Sequence, residues 1–246
     1  MRVRIPALAS IAASVVWAAC VACGGAQKDA QSPDTETETT AQRAGPSGSG
    51  MQVSTELGSI DSRAVEQTFW RLQSKLQGCY KSGLRRIAYL EGDVKVFLRV
   101  GQDGAVRYGY FEDSTLGDRE TEKCMMDALT ASAWPKPQGG EAEVRNSFGF
   151  DGPDDVRAPV SWGADRMADA IGKSADALRT CKEGVSGRFR ATAYVEPDGK
   201  QGKFQAIGIT APSKEGTDKI DCLVEALRGV TPPSPGSYAA KVSFDL

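Results

Sequence analysis

The chain has 246 residues, 40% apolar and 25% charged, with a formal net charge of −2 at pH 7. That balance is ordinary for a soluble protein and supplies no basic field of the kind that holds nucleic acid. Histidine is absent, which removes the commonest general base and the commonest metal ligand.

Met1-Arg-Val-Arg4 is a short basic start, and residues 5–22 are apolar, uncharged and rich in Ala, Val and Ser. This is the layout of a secretory signal peptide. As a retained membrane helix the run sits near the lower limit of roughly 17 residues, and no basic stop-transfer cluster follows it. Val21-Ala22 lead into Cys23-Gly-Gly. Here the chain resembles bacterial lipoprotein signals, in which small residues precede a cysteine that becomes the lipid-bearing N-terminus. The reading is a signal peptide over 1–22 and lipidation at Cys23; Trp17-Ala-Ala-Cys20 is a second box of the same kind. A redox pair is disfavoured because no thioredoxin-like strand–helix pattern surrounds the two cysteines. Residues 26–50 contain no Leu, Ile, Val or aromatic residue, so they cannot bury enough apolar surface to offset their ordering entropy. Residues 23–54 therefore read as a lipidated cysteine and a disordered tether.

The body divides into two similar halves, 55–151 and 160–246, joined by a Pro/Gly/Asp linker at 152–159. Val65, Phe69, Leu72, Leu76 and Cys79 fall at helical spacing, as do Met167, Ile171, Leu178 and Cys181, with Ser174 interrupting the second series. Asp61 and Asp165 are the expected N-caps. Each helix is followed by alternating strand residues and an Asp-Gly turn, Asp103-Gly104 and Asp198-Gly199. A second helix carries Cys124 or Cys222. Each half closes on a strand, the first of them "EVRNSFGFD". The fold class is α+β, with two tandem domains each running helix–strand–strand–helix–strand around a three-stranded antiparallel sheet. Two helices packed on one sheet face, each offering a cysteine from its apolar side, predict Cys79–Cys124 and Cys181–Cys222 bridges, which a secreted location permits. A four-cysteine zinc site would require both halves to converge, and the body has no Cys-x2-Cys spacing.

The polar and aromatic clusters have ordinary explanations. Asp113, Asp118, Glu120, Glu122 and Asp127 lie around a helix start, where acidic residues suit the dipole, and the calcium-loop pattern is missing. Arg71, Lys75, Lys81, Arg85 and Arg86 run along and past the first helix, toward the end where cations belong; an anionic envelope partner is their functional reading. Trp70, Trp134 and Trp162 read as core or interface residues, Trp162 between the domains. No nucleophile elbow, P-loop or zinc-protease motif occurs.

The run Cys79-Tyr80, Gly92, Asp103-Gly104, Ser114-Thr-Leu-Gly-Asp118, Cys124, Trp134-Pro-Lys-Pro137 and Phe148-Gly-Phe150 resembles the C-terminal domain of the TonB energy-transducer family. Within that family it is similar to the domain of myxobacterial envelope proteins of the AgmX/PglI type. The second half matches more loosely. It lacks the Tyr after its cysteine, and "TAPSKEGTDK" replaces the Ser-Thr-Leu-Gly-Asp stretch. The resemblance implies a non-catalytic protein-interaction module without cofactor or metal, binding an envelope partner by strand addition. The expected binding edge is Val144, Arg145, Asn146, Ser147, Phe148, Gly149 and Phe150, with the rings of Phe148 and Phe150 inward and the Asn146 amide outward. The alternative is a binding module for peptidoglycan or another anionic envelope polymer. The expected location is the bacterial envelope, lipid-anchored and facing the periplasm. Gly24, in place of the Asp associated with inner-membrane retention, points to the outer membrane.

Overall fold

The computed structural model describes residues 3–4 and 57–246; Cys20, Cys23 and the tether lie outside the described residues. Strand β1 (Val3–Arg4) is followed by helix α1 (Ser62–Leu84), which starts where the Asp61 carboxylate accepts the Arg63 and Ala64 N–H groups at 2.9 and 3.3 Å. Its buried stripe is Phe69, Leu72, Leu76, Cys79 and Tyr80, the side that helical spacing marks as apolar. Strands β2 (Gly92–Val100) and β3 (Val106–Ser114) form an antiparallel hairpin. At its turn Asp103 accepts the Ala105 N–H at 3.0 Å, and Gly104 adopts φ +84°. A Cβ on Gly104 would collide with the Trp134 carbonyl, and the Trp134 N–H donates to the Gly104 carbonyl at 2.9 Å. The turn glycine is thus also a close-approach point for the end of helix α2 (Arg119–Thr130). Strand β4 (Ala142–Phe150) pairs antiparallel with β2, and β1 lies antiparallel on the end of β4, with Val3 opposite Phe150 and Arg4 opposite Gly149.

The second lobe repeats this order with changes. Strand β5 (Val160–Trp162) runs parallel to the last strand. The expected single helix is broken into a 3-10 turn (Ala164–Met167), α3 (Ala168–Gly172) and α4 (Ala175–Cys181). The break falls at Gly172-Lys-Ser174, where the apolar repeat loses its Leu equivalent and glycine weakens the helix. Asp165 therefore lies within the 3-10 turn rather than capping a helix. Strands β6 (Arg190–Asp198) and β7 (Gln201–Thr210) form the second hairpin; a 3-10 turn, helix α5 (Ile220–Arg228) and strand β8 (Ala240–Asp245) complete the lobe.

The chain is α+β. The sheet orders are β1-β4-β2-β3 and β5-β8-β6-β7, so each sheet has a fourth strand beyond the three expected. Those additions, two and three residues long, are too short to show a period in sequence. Disulfides join Cys79 to Cys124 and Cys181 to Cys222, with Cα separations of 5.7 and 5.6 Å. The Tyr80 hydroxyl reaches the carbonyls of Leu90 and Asp151 at 2.7 and 2.8 Å; burial raises its pKa to about 12.

The described residues, 3–4 and 57–246, belong to one compact unit, so segment 152–159 joins lobes in contact rather than separated domains. The first core takes in Tyr194 and Ala206 from the second lobe. Tyr194 is fully buried; its hydroxyl donates to the Glu91 carbonyl at 2.9 Å and accepts the Glu91 N–H at 3.1 Å. The Lys241 ammonium also reaches the Glu91 carbonyl, at 2.7 Å. Arg119 pairs with Asp221 across the boundary at 2.7 Å. No helix among the described residues is long and apolar enough to cross a membrane.

Candidate functional site

Strand β4 presents Val144, Phe148 and Phe150 to the core, each no more than 5% exposed. Its other face carries Glu143 and Arg145. Arg145 stacks its guanidinium 4.5 Å from the Phe97 ring centre and pairs with Glu112 at 2.7 Å and Glu143 at 2.9 Å. Arg99 bonds Glu141 at 2.8 Å and Glu143 at 3.0 Å. These pairs hold the Glu141 and Glu112 carboxyls below their ordinary pKa, through hydrogen bonds from Arg99 and, for Glu112, from Arg145 and Lys95 against the opposing cost of burial. The outer sheet face is therefore a lattice of matched charges around a stacked Phe97–Tyr108–Tyr110 group.

The direction of each backbone group on β4 follows from one hydrogen bond. The Gly58 N–H donates to the Glu141 carbonyl at 2.8 Å from the side opposite β2. In a strand the N–H and C=O of one residue share a side, and the side alternates along the chain. No register shift interrupts the β2–β4 pairing. The outward set is therefore Glu143, Arg145, Ser147 and Gly149. Asn146 instead faces Val96 of β2, its register partner, which corrects the expectation of an outward Asn146 amide. Asn146 does act on the edge through its side chain: Oδ1 accepts the outward Ser147 N–H at 2.8 Å.

Coverage of this edge is uneven. Residues 57–59 bridge Gln138 and Glu141 at its start, and β1 covers Gly149 and Phe150. Among the described residues no strand pairs with the outer side of 142–148. In the second lobe, β5 covers the equivalent edge of β8 over Ala240–Val242.

The other sequence clusters disperse. Asp118 caps α2, accepting the Thr121 N–H at 3.2 Å, and binds Arg86. Glu120 pairs with Arg86 at 3.1 Å, and Asp113 lies 3.8 Å from Arg190. Arg71 and Arg85 bond Thr68 and Ser82 on their own helix. Trp134 is core, 4.7 Å edge-on from Phe69, with its indole N–H on the Leu129 carbonyl at 3.0 Å. Trp162 packs on the second core from β5 rather than between the lobes, and Trp70 is 60% exposed. A cleft of about 470 Å³ between the lobes is lined by Lys95, Arg188 and Arg190. Glu112, Asp113 and Asp245 lie within 3.0–3.8 Å of these cations, so the cleft carries no excess of positive charge. Among the described residues no group of acidic or cysteine side chains is arranged to hold a metal ion.

Glu122 is the residue whose setting the sequence reading missed. It is 2% exposed, and its Oε1 accepts the Ser114 hydroxyl at 2.6 Å. The available signal was its spacing three before Met125 and seven before Leu129, on the buried stripe of α2.

Family models, curated proteins and solved structures were all compared with the chain, and none matches it.

Proposed function

We propose that this protein is a lipid-anchored, non-catalytic interaction module of the bacterial envelope, in which two TonB-C-like repeats pack together and the first receives an extended segment of a partner protein on β4. The observation that carries this reading is the uneven edge: β8 is covered by β5, whereas the outer side of 142–148 has no paired strand among the described residues. Unpaired strand edges are templates for strand addition. Charged side chains at 143 and 145 and the bond from the Ser147 N–H to Asn146 Oδ1 restrain indiscriminate pairing while leaving the backbone reachable. The β1 strand already lies antiparallel at Gly149 and Phe150, and processing before Cys23 would remove it and lengthen the free edge.

In-cell photocrosslinking tests this. A photoreactive residue at Glu143 should give discrete protein adducts that a probe at Ser74, on the exposed side of α1, does not. Ser147→Pro removes an outward N–H and places a ring on the edge without touching the β2 ladder. It should abolish the Glu143 adducts while the circular dichroism spectrum stays native. Adducts that survive in folded Ser147→Pro refute strand addition here. Retention on purified cell wall that salt reverses, with no protein adducts, would instead establish the polymer-binding alternative.

A further inference from the structure

The lobe boundary contains a buried carboxyl group that no cation pairs with among the described residues. Glu122 points from α2 toward β7 of the second lobe. A Cβ on Gly208 would collide with both of its oxygens, so β7 packs directly on the carboxyl group and glycine is needed there. The flanking β7 residues Ala206, Ile207 and Ile209 are buried and apolar, and β7 brings no charged group to this contact. From β3 the only donor is the Ser114 hydroxyl, at 2.6 Å. On α2, Asp118 is like-charged and committed to Arg86. Arg119 turns its guanidinium to Asp221 of α5, at 2.7 Å. Lys123 and Asp221 stand on the rim of the adjoining hollow, and Lys123 is exposed. No cation makes an ion pair with Glu122 among the contacts of the described residues.

The Gly117 N–H is a second donor to the carboxyl group, yet a fully buried carboxylate with two donors and no paired cation is still disfavoured against its neutral acid. We infer that the α2–β7 contact is a proton-dependent latch between the lobes: closed with Glu122 neutral, loosened when Glu122 loses its proton to solvent. Burial, with Asp118 adding to it and the Ser114 hydroxyl, Arg119 and the Gly117 N–H opposing it, places the Glu122 transition at about 7, within the range an envelope compartment meets. The sign follows from linkage. The open form, with Glu122 in water, titrates near 4.5; the closed form holds its proton up to about 7, so closure is fullest at low pH and weakens as pH rises through that interval. This inference does not depend on the strand-addition reading.

Nuclear magnetic resonance of the folded chain reads the latch directly. The Glu122 side-chain carboxyl carbon should titrate with a midpoint near neutrality. The amides of Gly117, Thr192 and Gly208 at the boundary should shift with the same midpoint, and those of α1 should not. Hydrogen-exchange protection at Gly208, corrected for intrinsic rate, should fall on the order of 100-fold between pH 5 and pH 8. Glu122→Gln keeps the shape and accepts the Ser114 hydrogen bond; its protection should stay level. A Glu122 carbon that titrates at its ordinary position overturns the inference and needs no variant. Boundary amides that remain still through the Glu122 titration, or an unchanged pH response in Glu122→Gln, overturn it equally.

Discussion

Removing the Cys79–Cys124 bridge tests whether the lobe is held by restricting its unfolded chain. Cys79→Ala with Cys124→Ala opens a loop of 45 residues, for which the chain-entropy model gives about 4 kcal/mol. Packing adds little: Cys79 is buried at 6% exposure, but Cys124 lies at an exposed position, so little apolar area leaves the core with the sulfurs. A mechanism that acts on the unfolded chain makes a second demand. The denatured state should expand, and the urea dependence of the unfolding free energy should steepen. Equilibrium urea unfolding, followed by tryptophan fluorescence and far-ultraviolet circular dichroism, measures both quantities. A loss under about 1 kcal/mol with an unchanged slope would refute the loop-closure account. The Cys181–Cys222 bridge closes 41 residues, so loop entropy predicts nearly the same loss. Its local effect should differ. Helix α4 has seven residues, too few to persist alone, so hydrogen exchange over 164–181 should accelerate far more than exchange over α1 does in the first variant.

Tyr194→Phe should cost about 1–3 kcal/mol, because the partly buried Glu91 N–H loses its acceptor while Lys241 still serves the carbonyl; a neutral result in urea unfolding would mean that water fills the gap. For pH, the raised Glu122 value means that its share of stability is fully present below about 4.5 and is lost as pH rises through about 7, on the order of 3 kcal/mol in all. Asp221 and Glu112, with lowered values, act in the opposite sense at lower pH. The measurement is therefore the difference between the native chain and Glu122→Gln at pH 5 and pH 8, and a constant difference refutes the assignment. Cys23→Ala should leave unprocessed precursor without lipid label in cells fed a labelled fatty acid; loss of label in Cys20→Ala instead would move the anchor to the other box.

Much of the architecture was legible because it depends on local chemistry. The 3-4-3 spacing of Phe69, Leu72, Leu76 and Cys79 marks a helix face whatever the rest of the chain does, and Asp61 marks its start. The Asp-Gly pairs mark hairpin turns because few other residues fit the required backbone. Repetition of the same pattern around Cys181 and Cys222 then made the pairing within each half a packing argument, and each bridge lies within its own lobe. Tertiary contacts decided what lies between the halves. Tyr194 falls between Ala193 and Val195, on the face that alternation turns away from its own lobe's core, yet it is buried against Glu91 of the other lobe. Glu122 belongs by type to an acidic surface cluster, and the close packing of Gly208 from the other lobe against its carboxyl group is visible only in the fold. Edge coverage was equally hidden, since three residues at 160–162 suffice to close one sheet edge while the matching stretch before α1 stops at Glu141 of the other. Periodicity records which face of an element is apolar; which neighbour covers that face or edge is a long-range property, set by how the two lobes pack.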